Sequence, residues 1–195
     1  IAASAYVHWI EGRDAIRRVI LMGPSHHVPF RGLAMPQANE FATPLGRISV
    51  DEEALDLIRS LPQVQVLDAA HEYEHSLEVH LPFLQQVLAS FTLVPLVVGD
   101  AGDEEISEVI ETLWGGPETR IVVSSDLSHY HDYETAKKQD RATSRAIEAL
   151  RPEDIEVEDA CGCLPIRGLL RTARQHSLRA RTVDLRSSGD TAGTR

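Results

Sequence analysis

Two adjacent histidines, His26 and His27, follow directly on an apolar run near the start of the chain. The run, read as VILMGPSHHV, breaks at Gly23-Pro24, and Ser25 stands just before the histidines. This pattern is typical of a buried strand that ends in a loop with reactive side chains. Because ligands of open α/β sheets bind beyond the carboxyl ends of the strands, we expect a site in this loop.

A second polar stretch, SSDLSHYH at 124–131, follows another apolar strand and contains Asp126 and His129. If the two strands are parallel, both loops open on the same edge of the sheet. We therefore expect the histidines at 26 and 27 and the Asp-x-x-His pair to line one cleft.

A third polar cluster lies at 71–80 and consists of His71, Glu72, Glu74, His75, Glu78 and His80. His75 and Glu78 are three residues apart, so they share one face of a predicted helix, whereas His80 points elsewhere. A fourth candidate is Cys161, in the sequence ACGCLP at a loop-to-helix junction. Imidazole, thiolate and carboxylate groups in this mixture favour a transition-metal site.

Two other interpretations of these side chains stay open. Asp126 or Glu78 could orient an imidazole by accepting its second N–H, instead of binding a metal directly. Histidine also titrates near neutral pH, so acid–base chemistry needs no metal at all. Each of these residues taken alone is more often a hydrogen-bonded loop residue than a ligand. Their convergence on one sheet edge is what favours a site.

The elements that would position these residues alternate between strand and helix. This alternation predicts an α/β fold with a mostly parallel or mixed central sheet flanked by helices. Residues 23–37 are predicted to be loop, and 41–50, interrupted by Pro44 and Gly46, a broken extended segment or hairpin. The predicted strands are 17–22, 64–67, 92–98, 120–124 and 178–185. The predicted helices are 2–11, 51–61, 77–91, 103–113, 134–150 and 165–176.

The composition fits one domain over residues 1–195. The net charge of −11 argues against nucleic acid or an anionic membrane surface as a partner, since both reward clustered Lys and Arg. Cys161 and Cys163 are too close in sequence for an unstrained disulfide, so free thiols and a cytoplasmic location are expected. No apolar stretch reaches the roughly 18 residues of a membrane-spanning helix.

Five motifs also resemble those of the MEMO family, whose bacterial and archaeal members are called AmmeMemoRadiSam system protein B. They fall in the family's order and extend over most of the chain: GPSHHVPF (23–30), FATPLGRISVD (41–51), EHSLEVHLPFL (74–84), VVSSDLSHY (122–130) and ACGCLPI (160–166). The resemblance implies a LigB-like α/β sandwich, similar to the catalytic subunit of class III extradiol dioxygenases.

The resemblance also implies a mononuclear metal site with two histidines and one cysteine. The first His of PSHH, His26, and the Cys of CGxxPI, Cys161, would be two of these ligands. The third belongs to a family motif upstream of residue 1, so we expect this chain to lack the family's N-terminal segment and that ligand, and its metal could be absent. The family's last strand, after the SGD turn at 188–190, is expected to be missing too.

The resemblance places five more residues in the pocket as catalytic or supporting groups: His129, Asp126, Glu78, His75 and His80. His129 is the expected general acid or base, and His27 is expected to point away from the metal. A cysteine replaces the carboxylate of the dioxygenases, so dioxygenase chemistry does not carry over with the fold. Fe or Cu is expected in preference to Zn.

The leading hypothesis is a metal-dependent oxidoreductase with an unknown substrate, and the alternative is a non-catalytic protein that binds a peptide or small molecule in the same pocket. Hydrolysis by a metal-activated water is a third possibility. No G-x-S-x-G motif supports a serine nucleophile. The family name suggests a functional link to radical-SAM and AMMECR1-like proteins.

Overall fold

A five-stranded mixed sheet forms the centre of the protein in a computed structural model that describes residues 1–191. Its strands are β1 (Arg18–Pro24), β2 (Leu33–Met35), β5 (Val64–Val66), β6 (Thr92–Val98) and β7 (Thr119–Val123). A separate hairpin consists of β3 (Glu40–Thr43) and β4 (Gly46–Ser49). The α/β class, the hairpin and four of the five predicted strands are confirmed.

The strand order is β5-β2-β6-β1-β7. β1 lies between β6 and β7 and is parallel to both, whereas β2 is antiparallel to β6. After their first residues, Arg18 and Thr92, β1 and β6 are apolar and buried on both faces, as expected for central parallel strands. The carboxyl ends of β1 and β7 therefore meet at the same edge of the sheet, as predicted.

Helices cover both faces of the sheet, and alternate residues of β1 point into two hydrophobic cores. Ile20 and Met22 belong to the core shared with α2 and α5, whereas Val19 and Leu21 pack toward α1 and α4. The helices are α1 (Ala2–Tyr6), α2 (Glu52–Ile58), α3 (Ala69–Glu72), α4 (Leu81–Val87), α5 (Asp103–Thr112), α6 (Tyr133–Glu148) and α7 (Cys163–Gln175). No helix of the described residues is long and apolar enough to cross a membrane.

Asp51 connects the start of α2 to the amino-terminal ends of the central strands β1 and β6. Its carboxylate accepts hydrogen bonds from the Ala54 amide at 3.0 Å, from Arg18 Nε at 2.8 Å and from Thr92 Oγ1 at 2.7 Å. Burial by itself would raise the pKa of Asp51, but these hydrogen bonds outweigh it and hold the pKa below its usual value. The carboxylate is therefore ionised and acts as the N-cap of α2.

The structure corrects several predictions of secondary structure. Residues 178–187 form neither strand nor helix, because side chains of α6 hold this segment: the Thr182 amide donates to Glu148 Oε1, and the Thr182 hydroxyl contacts that of Ser144. β2 lies inside the predicted loop. The predicted helix at 77–91 begins as a 3₁₀ turn, Glu78–His80, and becomes α-helical only over Leu81–Val87.

Candidate metal centre

His26 is presented by the loop that follows β1. Ser25 fixes the start of this loop: its amide donates to the Val98 carbonyl at 2.9 Å, and its hydroxyl donates to the Val28 carbonyl at 2.7 Å. The strand end is packed tightly, since a Cβ atom on Gly23 would lie 2.6 Å from Ser76 Oγ. Glycine at 23 therefore lets the segment around Ser76 approach β1 closely.

Glu74 is a buried carboxylate whose side chain is only 2% exposed, and it binds His26 at two points. Oε2 accepts the His26 backbone amide at 2.6 Å, and Oε1 lies 2.8 Å from His26 Nδ1. Oε1 also accepts the amides of His75 and Ser76, both at 2.9 Å. Burial would raise the pKa of Glu74, but these hydrogen bonds, above all those from His26, lower it from 4.5 to about 2.

The ionised Glu74 decides which nitrogen of His26 carries a proton. A carboxylate can only accept hydrogen bonds, so His26 Nδ1 is the donor. In the neutral imidazole, Nε2 is then unprotonated and free to bind a metal ion. The His26 side chain is 34% exposed. A carboxylate that fixes the tautomer of a histidine in this way is a common partner of metal-binding imidazoles.

His75 stacks on His26, with ring centroids 5.2 Å apart and planes at 14°. Potential ligand atoms of His26, Glu74 and His75 lie within 4.8 Å of one another, which makes these residues a candidate metal cluster. His27 is exposed, with its ring 6.2 Å from that of His75. The structure thus brings together two predicted site residues, His26 and His75, with Glu74, which the sequence analysis placed in the third polar cluster without a role.

Cys161 lies just before α7, against the loop that follows β7, and is not a member of this cluster. Its Sγ accepts the Asp126 amide at 3.2 Å, and its own amide donates to the Asp126 carbonyl at 3.1 Å. The amide of Ser124, just beyond β7, donates to the Met22 carbonyl of β1 at 2.7 Å. Cys161 is therefore held at the same sheet edge as the His26 loop, half-buried and without a disulfide.

His80 lies beside Tyr6 of α1, with its Nδ1 2.8 Å from the tyrosine hydroxyl. Burial lowers the pKa of His80, while the nearby charge of Asp126 opposes this effect. Burial also raises the pKa of Tyr6, so the phenol stays protonated. His80 is thus a neutral imidazole in a half-buried position, electrostatically coupled to Asp126, whose backbone contacts Cys161.

His129 and Glu78 are more open to solvent than His80. His129 Nε2 lies 3.8 Å from an Asp126 carboxylate oxygen, and both side chains are exposed. Glu78 is exposed at the first position of the 3₁₀ turn. His75 precedes this turn and is not helical, so the prediction that His75 and Glu78 share a helix face is wrong. The local chain is too irregular there for helical spacing to apply.

Sequence reasoning missed the roles of Glu74 and Tyr6. Asp126 or Glu78 was expected to orient an imidazole, but the structure gives this role at His26 to Glu74. The available signal was that Glu74 immediately precedes His75 in the EHS motif. Tyr6 gave no signal, because an aromatic residue in a short helix is normally assigned to the core.

A cavity of about 250 Å³ adjoins Glu74. Its wall combines apolar side chains with polar groups from the segment around Glu74; it includes Phe41, His71, Leu77, Leu81 and Val97. Burial lowers the pKa of His71, whose Nε2 lies 3.1 Å from the Ala34 carbonyl. The cavity wall also includes the three glutamates at 72, 74 and 78, so it combines an apolar floor with acidic groups.

Comparison with known proteins gives a consistent result. The family model described as Memo-like protein matches residues 1–195. A MEMO1 family protein of Sulfolobus acidocaldarius is 30% identical over 207 residues, covering 99% of this chain and 72% of the relative. One from Aquifex aeolicus is 31% identical over 187 residues, covering 90% and 70%. One from Aeropyrum pernix is 33% identical over 207 residues, covering 99% and 73%.

Proposed function

The chain belongs to the Memo-like protein family, and we propose that it binds a single transition-metal ion at the carboxyl edge of its sheet and uses it in oxidation–reduction chemistry. His26 Nε2 and the Cys161 thiolate are the proposed ligands. The observation that carries this proposal is the buried Glu74–His26 pair, which leaves one imidazole nitrogen prepared to bind.

The Glu74–His26 pair supports metal binding because burying the Glu74 carboxylate costs free energy. A buried ionised carboxylate is expensive unless its oxygens are satisfied, and Glu74 is satisfied by four N–H groups. Two of these come from His26 alone. The arrangement therefore fixes the loop, the ring orientation and the tautomer of one exposed histidine, which a surface histidine without a ligand would not need. Glu74 itself is better suited to orient His26 than to bind metal, since its oxygens are already occupied.

The chemistry of the donors decides the proposed metal. Imidazole binds iron, copper, zinc or nickel, and thiolate binds the softer ions among them most strongly. Zinc has no redox chemistry, so an oxidoreductase would use iron or copper here. Iron or copper would supply one-electron chemistry when bound, whereas the protein supplies ligands, orientation and proton transfer.

The proton-transfer groups of the proposal surround the ligands. His129 is the proposed general acid or base, because it is exposed on the loop after β7 and its ring faces the Asp126 carboxylate. His75 covers one face of the His26 ring, and His80 is a neutral imidazole near Asp126. Glu78 is exposed and lines the same cavity as Glu74, so it is a further carboxylate near the His26 loop.

Metal analysis of chelator-free protein tests the proposal. We expect about one iron or copper ion per chain, lost in His26→Gln and in Cys161→Ala. Glu74→Gln should weaken the metal affinity by about 10- to 100-fold, the usual effect of removing the partner of a ligating histidine. His27→Gln is the matched control, because it removes the neighbouring exposed imidazole and should keep the metal. Folded protein that takes up neither metal in a titration would contradict the proposal.

The redox part has its own test. Metal-loaded protein is supplied with catechols and oxygen uptake is followed, with His129→Ala as the variant. A catalytic His129 predicts uptake that falls in the variant without loss of bound metal. If the protein binds the metal tightly but takes up no oxygen with the catechols, the redox part of the proposal is wrong and metal binding alone remains.

The cavity beside Glu74 favours a second candidate function, the non-catalytic binding of a small molecule or peptide side chain. Its volume of about 250 Å³ is slightly below the usual range for ligand pockets, which favours a small group. Thermal-shift screening of small molecules and peptides separates the two functions. Stabilisation that persists in His26→Gln but disappears when Leu77 is enlarged to Phe would support binding without metal.

A further inference from the structure

Tyr6 is a buried titratable residue to which the proposed chemistry gives no role. It is only 4% exposed, and two aromatic residues pack on its ring. Trp9 meets the ring edge-on with centroids 5.3 Å apart, and Phe83 of α4 stacks on it with centroids 6.1 Å apart. These contacts hold the ring in place, so its hydroxyl has a fixed position 2.8 Å from His80 Nδ1. The hydrogen bond thus connects α1 to the start of α4.

The phenol is the donor in this hydrogen bond. Burial raises the pKa of Tyr6, so the hydroxyl keeps its proton, and burial lowers the pKa of His80, so the imidazole is neutral. An unprotonated imidazole nitrogen is far more basic than a phenol oxygen, which favours O–H···N over N–H···O. The reverse bond would also turn the phenol hydrogen toward another acceptor, and among residues 1–191 the hydrogen-bond partner of the hydroxyl is His80 Nδ1.

His80 and His26 therefore have opposite tautomers. A neutral imidazole carries one N–H group, so a bond accepted at Nδ1 places the proton of His80 on Nε2. At His26 the Glu74 carboxylate accepts from Nδ1, which leaves the lone pair on Nε2. His26 thus offers a lone pair at Nε2 and His80 an N–H group. Of the two Nε2 atoms, only that of His26 is ready to bind a metal ion.

We propose that Tyr6 is a positioning residue that fixes His80 as the Nε2–H tautomer, so that His80 donates a hydrogen bond to an oxygen atom of the substrate and is neither a metal ligand nor a base. Asp126 connects His80 to the proposed metal site, since its charge acts on His80 and its amide donates to Cys161 Sγ at 3.2 Å. The tautomer follows from contacts of the metal-free chain, whereas the role toward a substrate rests on the proposed function. Proton transfer then belongs to His129.

Nitrogen NMR of the full, metal-free chain tests the tautomer. Two-bond ¹H–¹⁵N spectra, recorded above the usual pKa of histidine, distinguish protonated from unprotonated ring nitrogens, and His80→Gln identifies the His80 signals by their loss. We expect an unprotonated Nδ1 and a protonated Nε2. In Tyr6→Phe the two shifts should move toward each other, because the ring then exchanges between both tautomers. Tyr73→Phe, which removes the hydroxyl of an exposed tyrosine, is the matched control and should leave them unchanged.

Metal analysis and oxygen uptake with catechols test the role of His80. His80→Leu should keep the metal content of the parent but reduce oxygen uptake by about tenfold, the effect expected for one lost hydrogen bond. His80→Gln should lose less activity than His80→Leu, because an amide N–H can replace a donor but not a base. If the parent takes up no oxygen, the redox function is wrong, and the NMR spectra still decide whether Tyr6 fixes the tautomer.

Three results would overturn the proposal. The first is a protonated Nδ1 at His80, which would mean that the imidazole donates to the phenol. The second is a set of His80 shifts that is the same in Tyr6→Phe, Tyr73→Phe and the parent, which would mean that Tyr6 only packs against the ring. The third is loss of the metal in His80→Leu, or equal loss of activity in His80→Leu and His80→Gln, which would make His80 a ligand or a base.

Discussion

Replacing Glu74 by Gln tests the central structural feature of the candidate site, the buried carboxylate that holds His26. A pKa of about 2 in the folded protein, against 4.5 for the free group, corresponds to about 3 kcal/mol of stability at neutral pH. Glutamine keeps the size of the side chain but has one acceptor oxygen and one NH₂ group. Since N–H donors face both oxygens of Glu74, the NH₂ group would oppose a donor.

The pH dependence of this effect has a defined sign. The folded-state pKa of Glu74 lies below the unfolded-state value, so its stabilising contribution is complete above about pH 5 and is lost as the pH falls toward 2. We therefore expect Glu74→Gln to lower the free energy of unfolding by about 3 kcal/mol at pH 7 and by only about 1 kcal/mol at pH 3.

Urea unfolding of metal-free protein at the two pH values measures both differences. Glu72→Gln, an exposed carboxylate two residues earlier, is the control and should change stability by less than about 0.5 kcal/mol. The reasoning is refuted if Glu74→Gln costs the same at pH 7 and at pH 3. A pH-independent cost would mean that Glu74 contributes by packing and not as an ionised acceptor.

Three further substitutions test the surrounding fold by urea unfolding. Gly23→Ala should cost about 1–3 kcal/mol, because its Cβ would lie 2.6 Å from Ser76 Oγ; a neutral result would show that the strand end is loosely packed. Gly168→Ala should cost a similar amount, since its Cβ would lie 2.3 Å from Ile106 Cγ2, and stabilisation would instead show that helix propensity outweighs the contact between α7 and α5. Asp51→Ala should cost about 2 kcal/mol at pH 7 and less at pH 3, because the stabilisation from a carboxylate whose pKa is lower in the folded than in the unfolded chain is lost as the pH falls; an equal cost at both pH values would contradict this.

The central elements could be predicted because their signals are local. β1 and β6 are apolar after their first residues, and this pattern is sufficient to place them inside the sheet. Asp51 precedes a run with helical periodicity, and it is the N-cap that its position predicted. The shared edge of β1 and β7 followed from the alternation of strands and helices, which requires parallel neighbours.

The strand predicted at 178–185 failed because strand formation needs a partner as well as a pattern. The alternation of residues is present, but the segment bonds to side chains of α6, and β7 keeps a free edge in the described chain. The antiparallel pairing of β2 with β6 could not be predicted from the sequence either. A strand of three residues has no sequence pattern that indicates its direction in a sheet.

The sequence by itself determined the family, the two central strands and the set of residues able to do chemistry, because residue type and periodicity are readable along the chain. Only the tertiary structure decided how those residues pair. It joined His26 to Glu74 across 48 positions and kept Cys161 outside the cluster of His26, Glu74 and His75. The physical reason is that a buried carboxylate takes whichever N–H donors the packed loops bring to it, and loop paths depend on contacts between distant segments.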